Sequence, residues 1–279
     1  MISIVRQATH TAPARTLIRG AAGALISLGF LVAASPHVAA QDVASPRPAE
    51  LSVPATNVIA AVSARYAAAT NVSCTVRRSL AVDGKDGPSA EAISRIVWAR
   101  GGYLNAQKIA PQRRRTVIDG KTVRTAAEGD KEPISFSVAD QLPSQAANLR
   151  AVPASPEETL AVLDPATAED VAPPAAQFAR QVAFRFSDTN APNAVAIVSF
   201  DADGCVARLE TFDDASRTTQ AWATSFSSPF EPSPGLRLFR RIETLSVVDG
   251  RTVHAISSYD RIRVNETLPP SVFDPKAFF

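Results

Sequence analysis

The sequence predicts a mainly β, α+β fold: a curved antiparallel sheet with short helices on its concave, apolar face. Two observations carry this. The stretch Val117-Ile118-Asp119-Gly120-Lys121-Thr122-Val123 recurs as Val247-Val248-Asp249-Gly250-Arg251-Thr252-Val253. In both copies two β-branched residues run into Asp-Gly, which suits a tight hairpin because it tolerates positive φ at the central turn positions. Around these turns, apolar residues alternate with polar ones over most of the chain, the pattern of strands buried on one side.

The first forty residues read as a signal peptide. Arg6, Arg15 and Arg19 form a basic region without acids, Gly20 to Ala34 an apolar core, and Val38-Ala39-Ala40 a small-residue cleavage site before Gln41. The alternative is a membrane anchor, but an apolar run of about fifteen residues is shorter than the roughly 20 that a spanning helix needs. No second long apolar run follows, so the mature chain is expected to lack a transmembrane span and to be periplasmic or secreted. Without residues 1–40 the charge balance is 26 Lys/Arg against 27 Asp/Glu. A near-neutral chain of this kind gives no support for nucleic-acid binding. Residues 41–55, rich in Ala, Pro and Ser, read as a flexible linker, and residues 56–279 as one β-rich domain.

The elements follow in order. Thr56 can cap a helix over residues 57–69, with Val58, Ile59, Val62 and Tyr66 at helical spacing. Val72, Cys74, Val76, Leu80 and Val82 share one parity of a strand, broken by Arg78. The Asp83-Gly84 step turns the chain into two further strands, Ile93 to Arg100 and Gly102 to Ile109. Arg113 to Ile118 and Lys121 to Ala127 form the first signature hairpin, and Ile134, Phe136 and Val138 a half-buried strand. Residues 140–177 are Pro-rich and read as a helical insert acting as lid or plug. Within it Ser155-Pro156-Glu157-Glu158 is a helix start with Leu160, Val162 and Leu163 on its apolar side, and a second short helix ends near Leu149. Strands resume with Phe178, Val182, Phe184 and Phe186 on one face; after a turn at Asn190 to Asn193 they continue with Val195 to Phe200, with Cys205, Ala207 and Leu209, and with Trp222 and Phe226 sharing a face. The strands Leu236–Val248 and Arg251–Val264 form the second signature hairpin. The tail from Leu268 to Pro275 is expected to be extended, packing only through its apolar side chains.

Residues for catalysis are scarce. The mature chain has one histidine, His254, on an alternating strand and without a nucleophile-elbow motif. One histidine and two distant cysteines do not make a usual zinc site. Asp213 and Asp214 are strand neighbours that point to opposite faces. Asp201-Ala202-Asp203-Gly204 begins like a calcium loop but lacks the closing Glu, and is read as turn chemistry. The expectation is no enzyme, no metal and no cofactor. Cys74 and Cys205, in an exported chain, are either a disulfide or two buried thiols.

What is plentiful is apolar strand surface, and an antiparallel sheet needs something on its apolar face. The residues expected to line it are Trp98, Phe136, Val138, Phe184, Phe186, Phe200, Trp222 and Phe226, with Leu160 and Leu163 from the insert.

The arrangement resembles the LolA/LolB-like family of periplasmic lipoprotein carriers, as a divergent outer-membrane lipoprotein-sorting-like member. The resemblance runs from an opening helix (Thr56 to Ala69) through Gly101-Gly102-Tyr103-Leu104-Asn105 and Thr116 to Val123. It ends at Asn265-Glu266-Thr267-Leu268-Pro269-Pro270-Ser271-Val272-Phe273. Arg124, Ala126 and Ala127 stand where that family tends to have an aromatic, a Tyr and a Pro. The resemblance implies a half-open β-barrel with a helical lid, whose apolar cavity holds a lipid or the acyl chains of a lipoprotein without catalysis. A sensor or envelope regulator that uses the same fold to bind a protein partner is the alternative. The Phe278-Phe279 end brings an outer-membrane barrel to mind, but Pro-rich breaks interrupt the regular alternation such barrels need.

Overall fold

The computed structural model describes residues 48–82, 89–138, 151–187, 193–217, 219–248 and 250–274. The leader 1–40, the Asp83-Gly84 turn, the helix expected near Leu149, Asn190, Asp249 and Phe278-Phe279 lie outside the described residues.

Among the described residues, two short helices, α1 (Val58–Tyr66) and α2 (Glu157–Leu160), accompany thirteen strands. The strands are β1 (Asn71–Val82), β2 (Ser89–Ala99), β3 (Tyr103–Ala110), β4 (Arg114–Asp119), β5 (Thr122–Ala127), β6 (Ile134–Ser137), β7 (Leu163–Asp170), β8 (Arg180–Phe186), β9 (Val195–Phe200), β10 (Val206–Phe212), β11 (Gln220–Ser233), β12 (Leu236–Val248) and β13 (Arg251–Val264). They form one antiparallel sheet in the order β6-β5-β4-β3-β2-β1-β13-β12-β11-β10-β9-β8-β7, open at β6 and β7. Every neighbouring pair but one is a sequence neighbour. The exception is the seam between β1 and β13, where Val72 lies opposite Val264 and Val82 opposite Val253. Two arms, β1–β6 and β7–β13, thus meet along this line.

The signature turns form by a division of labour. In the β4–β5 hairpin Ile118 pairs with Val123 and Gly120 takes φ +86°. Asp119 acts through its side chain: Oδ1 accepts from the Lys121 and Thr122 amides at 3.0 and 2.8 Å. Positive φ is therefore needed at the glycine, not at both residues of the pair. The same device recurs at Asp201, whose Oδ1 accepts from the Asp203 and Cys205 amides while Gly204 takes φ +72°. In the β12–β13 hairpin Val248 pairs with Arg251 across Gly250 at φ +77°.

The inner face of the sheet is the one that α1 covers. Val58, Val62 and Tyr66, at i, i+4 and i+8, are its buried stripe. They pack with Val72, Cys74 and Val76 of β1 and with Phe200, Leu236 and Leu238 from the far arm. α1 begins one residue later than expected, and Thr56 does not cap it: it sits in a 3-10 turn, Ala55–Asn57, that leads directly into the helix.

Three expectations need correcting. Residues 48–55 are not a loose linker. They form a strap in which Leu51 is buried in the core, and Arg180 donates to the Glu50 and Val53 carbonyls, both at 2.8 Å. The stretch 151–177 holds only the four-residue α2 and then strand β7, whose pairing with β8 outweighs the breaking effect of Pro165. Pro is tolerated there because β7 is an edge strand. The tail is not simply extended. Pro270–Phe273 is a 3-10 turn on β3 and β4, held by Asn105 Nδ2 donating to the Val272 carbonyl at 2.7 Å and by Phe273 packing on Tyr103.

The disulfide alternative is not realised: Cys74 and Cys205 are buried free thiols. Burial pushes the Cys74 thiol up to about 12. Cys205 Sγ instead accepts from two guanidinium groups, Arg65 at 2.9 Å and Arg237 at 3.2 Å.

Candidate functional site

Strand register carries one face across the whole sheet. Trp98 stands opposite Val72 and Leu104, Leu104 opposite Ile118, Ile118 opposite Val123, and Val123 opposite Phe136. On the far arm Phe184 faces Ala196, Ala196 faces Thr211, and Thr211 faces Trp222. Phe226 pairs with Ile242, Ile242 with Ser257, and Ser257 with Arg78, which shares the parity of Val72 and Val76. The aromatic residues singled out from the sequence on β2, β6, β8, β9 and β11 therefore lie on the inner face.

They are not equally accessible. Trp98, Phe184, Phe200, Phe226, Leu160 and Leu163 are buried together in the core. Phe186 and Trp222 are half-buried at its border. Phe136 and Val138 are half-buried on the β6 side, and Val138 donates its amide to the Lys121 carbonyl at 2.7 Å. The cover over this face is thin and segmental. It consists of the strap, α1, and the stretch 151–163, in which Val152, Ala154, Leu160 and Leu163 are buried.

The 151–163 segment is locally well specified. Ser155 Oγ accepts from the Glu157 amide and donates to the Val152 carbonyl, while Glu157 Oε2 accepts from the Val152 amide at 2.9 Å. It is tied to the sheet by the Phe239 amide donating to the Ala154 carbonyl at 2.9 Å. Glu158 is half-buried. Burial raises its carboxyl above the ordinary range, opposed by Arg78. Tyr259, which Arg78 also contacts, is pushed up to about 12, chiefly by burial. The sequence marks Glu158 only as an acid at a helix start; where α2 sits brings its half-buried carboxyl near Arg78 and Tyr259.

Away from α1 the same face changes character. Its side chains become small: Ala92, Ser94 and Ala106 on the near arm, Thr224, Thr244 and Ala255 on the far arm. Thr224 and Thr244 bond each other at 2.8 Å, whereas the buried Thr211 hydroxyl finds no partner among the described residues.

Two clefts flank the strap. One, of about 530 Å³, lies between Val53-Pro54 and Val171, Pro174 and Arg180. The other, of about 570 Å³, lies between Glu50 and Arg65 on one side and Asp203, Glu231 and Arg237 on the other. Two ion pairs line it, Arg65 with Glu50 at 2.8 Å and Arg237 with Asp203 at 2.9 Å, and Glu231 adds a third carboxylate. Sequence reading misses this group because its members lie far apart in the chain. Among the described residues no three His, Cys, Asp or Glu side chains converge to hold a metal ion, and no helix is long and apolar enough to cross a membrane.

The fold is that of an open, LolA-like half-barrel. No protein family's model matches the sequence, and no curated protein matches it. Among solved structures, a LolA superfamily protein from Nitrosomonas europaea superimposes with a TM-score of 0.53 at 10% identity, covering 80% of this chain and 98% of that one. A putative outer membrane lipoprotein-sorting protein domain from Vibrio parahaemolyticus gives 0.51 at 11%, covering 79% and 96%. A DUF1329 family protein from Desulfovibrio piger gives 0.52 at 9%, covering 79% and 95%. At these identities the likeness is one of fold.

Proposed function

We propose that this chain is a non-enzymatic, exported binder or carrier of a lipid or of a lipoprotein acyl chain, held on the inner face of the sheet. The observation that carries the reading is the construction of the cover. An apolar face spanning both arms is closed by a strap, one nine-residue helix and a short plug rather than by a second sheet. Such segments can give way one at a time to an acyl chain that replaces their apolar contacts. The shared fold with lipoprotein-sorting and LolA superfamily proteins supports the same reading. Trp98, Phe184, Phe200, Phe226 and the β7 residue Leu163 would form the floor, Leu160 the displaced plug, and Phe136, Val138, Phe186 and Trp222 the first contacts.

The two tryptophans make this testable. Trp98 is buried beside α1, whereas Trp222 borders the small-residue half of the face. In a Trp98→Phe variant, fatty acids brominated along the chain are expected to quench Trp222 emission in a saturable way, and unbrominated ones to compete. Native mass spectrometry of protein purified without detergent should show a co-purifying lipid mass. No saturable quenching, together with an empty protein that retains a partner protein, would turn the reading toward the sensor alternative.

A further inference from the structure

The two arms carry opposite charge. Residues 71–82 and 89–138, which hold β1–β6, contain eleven Lys/Arg and five Asp/Glu. Residues 151–187, 193–217, 219–248 and 250–264, which hold β7–β13, contain ten and thirteen. The near-neutral total conceals this division.

The cations of the first arm are concentrated. Arg95 on β2, Lys108 on β3 and Arg114 and Arg115 on β4 occupy adjoining register positions, with Arg113 in the turn before β4. Lys108 stands directly opposite Arg114. A like-charge pair in that position destabilises a sheet. The consecutive arginines put positive charge on both faces at once, because neighbours on a strand point to opposite sides. Of the rim cations, Arg113 pairs with Glu128 at 3.6 Å and Arg115 Nε donates to Asn105 Oδ1 at 3.3 Å, while Glu91 pairs with Arg77 at 3.2 Å rather than with the rim. Arg78 is one of the eleven but not part of the rim, since it contacts Tyr259 and lies near Glu158.

The location is informative. α1 packs where β1 begins, against Val72, while Lys108 and Arg114 lie toward the opposite ends of their strands, beside the small residues Ala92 and Ala106. The cationic rim therefore borders the part of the inner face farthest from α1.

We propose that this rim is a docking surface for a membrane bearing anionic head groups, and that it presents the small-residue end of the trough to the bilayer. A rim charged on both faces suits an extended anionic plane better than one enclosed anion. Each Lys or Arg near such a plane adds attraction that falls off within a Debye length. The orientation, though not the docking itself, takes its purpose from the acyl-chain reading above.

The test is co-sedimentation of the full mature chain with vesicles of phosphatidylglycerol and phosphatidylethanolamine, and with pure phosphatidylcholine vesicles. Binding is expected only to the anionic vesicles, and is expected to disappear at high salt. Lys108→Glu with Arg114→Glu should weaken it by about tenfold or more, and Lys108→Ala with Arg114→Ala by less. Arg261→Glu, an exposed change in β13 at the α1 end, should leave it intact. Equal binding to neutral vesicles, no binding at low salt, or a folded charge-reversal variant that binds as before would each overturn the proposal. Trp222 quenching by soluble brominated fatty acids in that same variant separates the two ideas: quenching without docking refutes the surface alone.

Discussion

At the scale of single residues, the turn carboxylates are the clearest link between sequence and structure. Asp119 is half-buried, and its pKa is lowered, first by the hydrogen bond from the Thr122 amide and then by that from Lys121. A carboxyl lowered in the folded state contributes stability above its unfolded pKa and loses it as pH falls through the folded one. Asp119→Ala is expected to cost about 1 kcal/mol in urea unfolding at pH 7, the scale of the net hydrogen-bond loss, and much less at pH 3. Asp119→Asn keeps the acceptor and should retain most of the stability while removing that pH dependence. Glu158 has the opposite sign. Burial raises it, so its contribution is fully present below the ordinary glutamate pKa and is lost as pH rises through the folded value. Glu158→Gln should accordingly raise the urea midpoint at pH 8 relative to pH 4; a loss of stability at both pH values would mean that the Arg78 interaction outweighs desolvation.

At the scale of elements, the strap is the most exposed to change. Arg180 holds two of its carbonyls and is itself fixed by Asp170 at 2.7 Å. Gly204 lies so close beneath it that an added Cβ would come within 2.6 Å of the Pro48 side chain. Arg180→Ala should free the strap without unfolding the sheet, read as rapid protease cleavage before α1 with an unchanged far-ultraviolet spectrum. The strap also shows where sequence reading stops. Its Ala, Pro and Ser composition is that of a linker, and a single buried Leu51 has no periodicity to announce it. Strand parities, by contrast, were legible on β1, β8 and β11, because a face buried over many residues leaves a period of two. The hairpins were legible because Asp-Gly specifies a turn locally.

At the scale of the molecule, neither the pairing of β1 with β13 nor the charge division between the arms could be read from local pattern. The first requires knowing which distant strands meet. The second requires knowing which residues share an arm, since the chain total of +2 hides it. A sheet joined between its first and last strands has large sequence separations, and such topologies fold slowly because loop closure precedes the contacts that offset it. Stopped-flow refolding of residues 41–279 is expected to complete in seconds or longer. A submillisecond single phase would mean that the seam forms early.

The seam also sets an order on synthesis. Residues 71–82 must keep one flank unpaired until residues 251–264 have been made. A ribosome adding about 5–20 residues per second takes roughly ten seconds or more over that interval. During that interval the centre of the future sheet cannot close, although the hairpins of sequence neighbours on either side of the seam can already pair.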